Sequence, residues 1–303
     1  MAGSQDIAED PRNATVLVSV NGALVPRHEA RVSVFDAGFI AGDGVWEGLR
    51  LYRGRLLFLE AHLDRLFQGA AAIGLDVGLD RAGITARLHA LCAANAMTDG
   101  AHLRLMVTRG EKRTPSQDPA QSIGPATMVI VAEFKLPHPD LARHGLTLAT
   151  AANRVTRADQ FDPRLNSHSR LPLIIALLQA RQAGADEALM LDDAGFIASC
   201  NATNFFFVRD GVVCTSDDRS CFAGITRAHI VALCRAHAIP LAIGRHAPYD
   251  LAAAGEAFVT GTFGGVTPVR AIDGRALPAV PGPLTQRLRA LYTALIDEEA
   301  TAK

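Results

Sequence analysis

The sequence predicts a two-lobed α+β protein, and three observations carry that reading. Apolar–polar alternation recurs in short runs along both halves, as in residues 14–20 (ATVLVSV) and 126–134 (ATMVIVAEF). Helical spacing interrupts those runs in each half, most clearly over residues 59–75 and 226–237. Between the halves, residues 136–146 hold Pro137 and Pro139 with no sustained pattern, which reads as a linker. At 303 residues, the chain is long enough for each lobe to bury its own core.

Taken in order, residues 1–14 lack apolar periodicity and are expected to form a flexible arm. Residues 15–135 predict a small N-terminal α/β domain, 136–146 the linker, and 147–303 a large C-terminal domain. The first strand breaks at Asn21-Gly22, a pair that favours two-residue hairpins, and resumes over residues 23–26. Residues 30–36 (ARVSVFD) predict a further strand, followed by the glycine-rich turn GFIAGDG and two strands joined at Arg53-Gly54. Leu63, Leu66, Phe67 and Ala70 share one face of the next helix, and a second helix covers roughly residues 80–96. Strands at 102–110 and 126–134 complete this lobe. Past the linker, LTLATA is a strand and residues 171–184 are a helix closed by a glycine. Hairpins at 187–199 and 204–215, a helix at 226–237, a strand at 256–262 and a terminal helix at 282–299 follow.

Composition narrows the function. The formal net charge of -1, with no basic run, argues against nucleic acid or an acidic membrane surface as partner. The polar, acidic start shows no signal peptide, and the apolar stretch at 171–178 is too short to span a bilayer. Five widely spaced cysteines without a CxxC pair fit reduced thiols in the cytoplasm. No HExxH or paired Cys/His spacing suggests a metal, and no GxGxxG joins a strand to a helix. A small-molecule substrate is the expected partner.

Two blocks carry a resemblance. The first is VSVFDAGFIAGDGVWEGLRLYRGRLLFLEAHLDRLFQGA (32–70). The second is DEALMLDDAGFIASCNATNFFFVRDGVV (186–213), continued by GITRAHIV (224–231) and VTGTFGGVTPVR (259–270). Together they are similar to the class-IV aminotransferases, the superfamily of branched-chain and D-amino-acid aminotransferases and aminodeoxychorismate lyase. The resemblance implies the two-domain fold-type-IV architecture, a small α/β lobe and a larger β-barrel-like lobe with helices. It also implies a homodimer and pyridoxal 5'-phosphate or pyridoxamine 5'-phosphate as cofactor. In that register Arg65 would grip the phosphate with its guanidinium fork. The backbone of Gly224, Ile225 and Thr226 at a helix start, with Gly261 and Thr262, would complete a cup.

Two positions depart from the family pattern. Where the family has its cofactor-binding lysine, in a segment like DPR-I-K-S, this chain reads DPRLNSHSRL, with Asn166 in the lysine's place. An amide nitrogen has no basic lone pair, so it can neither join an aldehyde nor act as a base. The chain's lysines are Lys112, Lys135 and Lys303, all expected to be solvated charges. Where the family has the glutamate that pairs with the pyridine nitrogen, IASCNATN puts Ser199, while Asn204 keeps the later position. The expected cofactor is therefore held non-covalently, and lysine-based proton chemistry is lost. His168, two residues beyond Asn166, is either a replacement acid or base or a polar interface residue. Cys200 and Cys221 flank the family's site segments and read best as small buried apolar groups. Arg109, Arg113 and Arg170 are candidates for a substrate carboxylate, whereas Asp43 and Glu47 read as folding residues, with Trp46 and Tyr52 as pocket walls. Three functions remain open at this point: an enzyme acting on an amino- or keto-acid-like substrate by non-classical chemistry, a non-catalytic binding or regulatory homologue, and an enzyme of another class using the cup for a different phosphorylated ligand.

Overall fold

Asn21 and Gly22 both take positive φ, 52° and 92°, and close a two-residue hairpin between β1 (Leu17–Val20) and β2 (Ala23–Pro26). The hairpin lies in the first of two units of the computed structural model, which describes residues 9–301. That unit continues through α1 (Ala37–Ala41), β3 (Gly44–Tyr52), β4 (Arg55–Leu56), α2 (Leu59–Ala72), α3 (Arg81–Ala94), β5 (Ala101–Thr108) and β6 (Thr127–Phe134). Its six strands form an antiparallel sheet in the order β2-β1-β6-β5-β3-β4. Alternate residues of β5 (Leu103, Leu105, Val107) and β6 (Met128, Ile130, Ala132) are buried, and Leu63, Leu66, Leu88 and Leu91 of the two long helices join the same core. Residues Leu165–Ser169 also belong here: the backbone N–H of Trp46 donates to Asn166 and that of His168 to Gly44, both at 3.0 Å.

Two expectations for this unit need correcting. Residues 30–36 form no strand; Val32, Val34 and Phe35 stay exposed, and Asp36 instead accepts from the Gly38 N–H to cap α1. Alternation alone cannot tell a half-buried strand from an exposed segment held by a single bridge, here Asp36 to Glu111, and a carboxylate able to cap competes with the ladder. The expected arm is partly ordered. Residues 1–8 lie outside the described residues, but Pro11–Ala14 form a 3-10 turn. The Asn13 side chain clamps that turn to β6, donating to the Phe134 carbonyl and accepting from its N–H at 2.9 and 2.8 Å.

The second unit comprises α4 (Leu141–His144), β7 (Leu146–Thr150), α5 (Leu171–Gln182), β8 (Glu187–Leu191), β9 (Ile197–Cys200), β10 (Asn204–Arg209), β11 (Val212–Ser216), α6 (Ile225–Ala236), β12 (Leu241–Gly244), β13 (Glu256–Gly261), β14 (Gly265–Ile272), β15 (Arg275–Ala276) and most of α7 (Pro283–Thr301). Nine strands make one sheet, in the order β12-β11-β10-β13-β14-β7-β8-β9 with β15 on β14. The row curls back on itself: Ile197 donates its N–H to His246 at 2.8 Å, and the Ser216 hydroxyl donates to the Ala198 carbonyl. Phe205 and Phe207 fill one face of β10 with Leu189, Val259 and Val269, while Phe206 stacks on its cross-strand partner Phe258 from the other. The segment read as a plain linker contributes α4, whose Leu141 is buried in this core. No helix among the described residues is long and apolar enough to cross a membrane.

Candidate functional site

The second unit builds a concave polar corner where α6 begins. Gly224, the N-cap, supplies no side chain, so the first-turn N–H groups of Ile225 and Thr226 meet no capping atom. A Cβ at Gly224 would lie 2.0 Å from Oδ1 of Asn204, so only glycine fits there. Asn204 in turn donates from Nδ2 to the Phe222 carbonyl at 2.8 Å, tying β10 to the loop that enters the helix. Directly across the ladder stands Thr260, a residue the sequence reading passed over. Cross-strand partners project to the same sheet face. Its hydroxyl is buried and has no partner among the described residues. Gly261 and the half-buried Thr262 follow directly. Thr226 is buried, with its hydroxyl 3.4 Å from that of Tyr292 on α7. Behind the corner, Arg227 holds the approach loop by donating to the Ser216 carbonyl and pairing with Asp218, each at 2.7 Å. Uncommitted N–H groups at a helix start, a buried unpaired hydroxyl and a required glycine together suit an anion.

Ser199 lies on β9, buried, with its hydroxyl donating to the Thr203 carbonyl at 2.8 Å. The proton is thus committed to the backbone, and the oxygen is left to act as an acceptor. The buried carboxylate nearby is Glu187, one strand over, which accepts from the Thr203 hydroxyl at 2.7 Å. The thiol of Cys200 is pushed well above its ordinary range, first by burial and then by the charge of Glu187. Burial also raises Cys221, against the opposing pull of Arg227. Neither is a ready thiolate.

In the first unit Asn166 is 4% exposed and sits beside a buried charge cluster. Its Nδ2 donates to the Trp46 carbonyl and approaches Glu47 Oε1 at 3.4 Å, while Oδ1 is buried without a partner among the described residues. Glu47 is fully buried and accepts from Arg65 Nε and Nη2 at 2.7 and 2.6 Å and pairs with His62 Nδ1 at 2.7 Å. Burial pushes the Glu47 carboxyl up, but the hydrogen bonds from Arg65 and His62 outweigh it and hold the group below its ordinary value. The guanidinium fork expected to clasp a phosphate is closed on a carboxylate of its own unit. Sequence reading treated Glu47 as a folding residue and missed His62. Their signal was the spacing of His62 and Arg65, three apart on one helix side and hence neighbours.

The other expected residues are placed as follows. Residues 166–168 are extended and pair with β3, so Asn166 and His168 project to a common face; the His168 ring packs against Gly44. Arg109 is consumed structurally. It forks onto Asp43 at 2.6 and 3.0 Å and reaches the carbonyls of Ile73 and Gly74 at 2.8 Å. Arg113 is exposed, and Arg170 stands over the Phe222 ring at 6.0 Å. Lys112 is not solvated as expected: it is 2% exposed and donates to the Asp118 carbonyl at 3.1 Å. Lys135 is part-buried, and desolvation lowers its pKa; Lys303 lies outside the described residues.

The class-IV amino-transferase family model matches residues 44–272. Among curated relatives, the branched-chain-amino-acid aminotransferase-like protein 2 of Arabidopsis thaliana is 38% identical over 288 residues, 95% of this chain and 51% of that protein. The chain thus spans about half of that relative. The branched-chain-amino-acid aminotransferase of Pseudomonas aeruginosa is 31% identical over 302 residues, 93% of each chain. Among solved structures, the T.th. branched-chain amino acid aminotransferase with pyridoxamine 5'-phosphate superposes with a TM-score of 0.86 at 27% identity, covering 94% of this chain and 95% of that one. With three-quarters of its length inside the family model, this chain belongs to the class-IV aminotransferases.

Proposed function

We propose that the protein binds pyridoxal or pyridoxamine 5'-phosphate non-covalently and acts on an amino- or keto-acid-like substrate without a lysine. One observation carries the reading: the buried residue in the lysine's register is Asn166, an amide anchored to Trp46 and Glu47. The corner at Gly224, Ile225, Thr226, Asn204, Gly261 and Thr262 fits a phosphate ester, with the Thr260 hydroxyl as a further donor. A similar solved protein carries pyridoxamine 5'-phosphate. Bound there, the ring would supply an electron sink for bonds at the substrate's amine-bearing carbon. Ser199 would meet the ring nitrogen only weakly, because its proton is committed to Thr203. His168 is the side chain we assign to moving a proton, and Arg113 and Arg170 the ones to hold a carboxylate.

The working form is a homodimer in the reducing interior of a cell. Helix α5 supports it, since Leu171, Ile174, Ile175 and Leu178 stand exposed on a segment apolar enough to be covered. Equilibrium dialysis against both cofactor forms tests the central reading. Saturable binding of cofactor that dialyses away again is expected, weakened by excess inorganic phosphate. Absence of binding by either form would turn the function towards another phosphorylated ligand.

A further inference from the structure

Three loops of the second unit line a polar cavity of about 300 Å³, the lower limit for a small-ligand pocket. They are residues 155–159 after β7, the hairpin turn at 192–193 between β8 and β9, and residues 217–220 after β11; Arg245, just past β12, completes the wall. Most of the charge on that wall is already matched. Arg157 forks onto Asp159 at 3.0 and 2.6 Å, with Asp193 3.6 Å from its Nε, and Arg219 donates to Asp217 at 3.1 and 2.8 Å. Burial pushes the Asp217 carboxyl up, but the hydrogen bonds from Arg219 outweigh it and hold the group below its ordinary value.

Two charges of opposite sign remain. Asp192 is 6% exposed. Its Oδ1 accepts from the N–H groups of Ala194 and Phe196 at 3.0 and 2.8 Å, which fixes the carboxylate, while Oδ2 has no hydrogen bond among the described residues. A carboxylate oxygen so far removed from bulk water rewards a donor, and a cationic donor most. Arg245 has no hydrogen-bonded carboxylate among the described residues; its guanidinium stands 5.3 Å from the centre of the Phe196 ring. Phe196 thus gathers both charges, since its N–H holds Asp192 and its ring lies under Arg245. We propose that this cavity binds an α-amino acid as its zwitterion, with the ammonium on Asp192 Oδ2 and the carboxylate on Arg245. A bare cation would leave Arg245 unmatched and a bare anion would leave Asp192 unmatched, whereas a zwitterion serves both and adds no net charge. Val155 and Ala158 supply the small apolar part of the wall, which suits a short side chain. None of these residues belongs to the corner at Gly224, so the amino-acid site and the cofactor reading stand or fall separately.

Calorimetric titration of the intact protein with L- and D-alanine, ethylamine and propionate tests the site, because the last two are alanine without its carboxylate and without its ammonium. The better-bound hand of alanine is expected to bind at least about tenfold tighter than either half, as one charge-assisted hydrogen bond at each end warrants. Asp192→Asn keeps an oxygen to cap the hairpin, and Arg245→Met keeps a stem to cover Phe196. Each should weaken alanine by about tenfold or more, and if one variant fails to fold the other decides. Alanine bound no tighter than ethylamine and propionate overturns the proposal, as does an affinity undiminished in a folded variant. Failure of alanine to bind at all also overturns it, while saturable cofactor binding in dialysis would leave the cofactor reading intact.

Discussion

Glu47 shows how much of this protein depends on single buried polar residues. Its carboxylate joins Arg65, His62 and Asn166, so its loss leaves a part-buried guanidinium without this counter-charge. Glu47→Leu is expected to lower unfolding free energy by about 3–5 kcal/mol, the usual cost of breaking a buried pair from one side; urea denaturation measures it. His102 makes a second expectation. Burial, reinforced by the charges of Lys135, Arg104, His62 and Arg50, holds its pKa down to about 3. Between the unfolded value of 6.5 and that folded value, the unfolded chain binds a proton that the folded chain refuses. Stability should therefore be fully present above pH 6.5 and fall as pH drops, by at most about 1.4 kcal/mol per pH unit from this group. His62, also lowered, acts in the same direction. Urea midpoints taken across this range should flatten in His102→Gln; an unchanged slope would remove His102 from the account.

At the scale of elements, the start of α6 was legible because a glycine before Ile225-Thr226 opens a helix in a recognisable motif. What the motif could not show is that Asn204 fills the space above that glycine. Gly224→Ala would push Asn204 aside, and affinity for both cofactor forms is expected to fall by about tenfold or more in titration, with the helix itself retained. The strand expected at residues 30–36 was misread for the opposite reason: its alternation is real, but it pairs only through an isolated bridge from Asp36 to Glu111. Helix α5 carries apolar residues on all sides, a pattern that marks burial without saying against what. If a second copy covers it, Ile174→Asp combined with Leu178→Asp should shift sedimentation from dimer to monomer. A wild-type protein that already sediments as a monomer would contradict that assignment.

For the whole molecule, the two lobes followed from the runs of strands and helices on either side of the linker, and the barrel-like sheet of the second from the family resemblance. The charge cluster followed only in part: the three-residue spacing pairs His62 with Arg65 on α2, but no periodic pattern marks Glu47 of β3 as the carboxylate they share. Nor does sequence mark a lysine as buried, and Lys112 was read as solvated although its chain is enclosed and its amine bonded to Asp118. Lys112 and Lys135 are the amines to watch when attachment is tested directly. The protein should be saturated with pyridoxal 5'-phosphate, treated with borohydride and mapped by peptide mass, with Asn166→Lys beside it as the positive control. The wild type is expected to yield no modified peptide while the variant is labelled at position 166. Cofactor fixed stoichiometrically to any lysine of the wild type would contradict the lysine-free account.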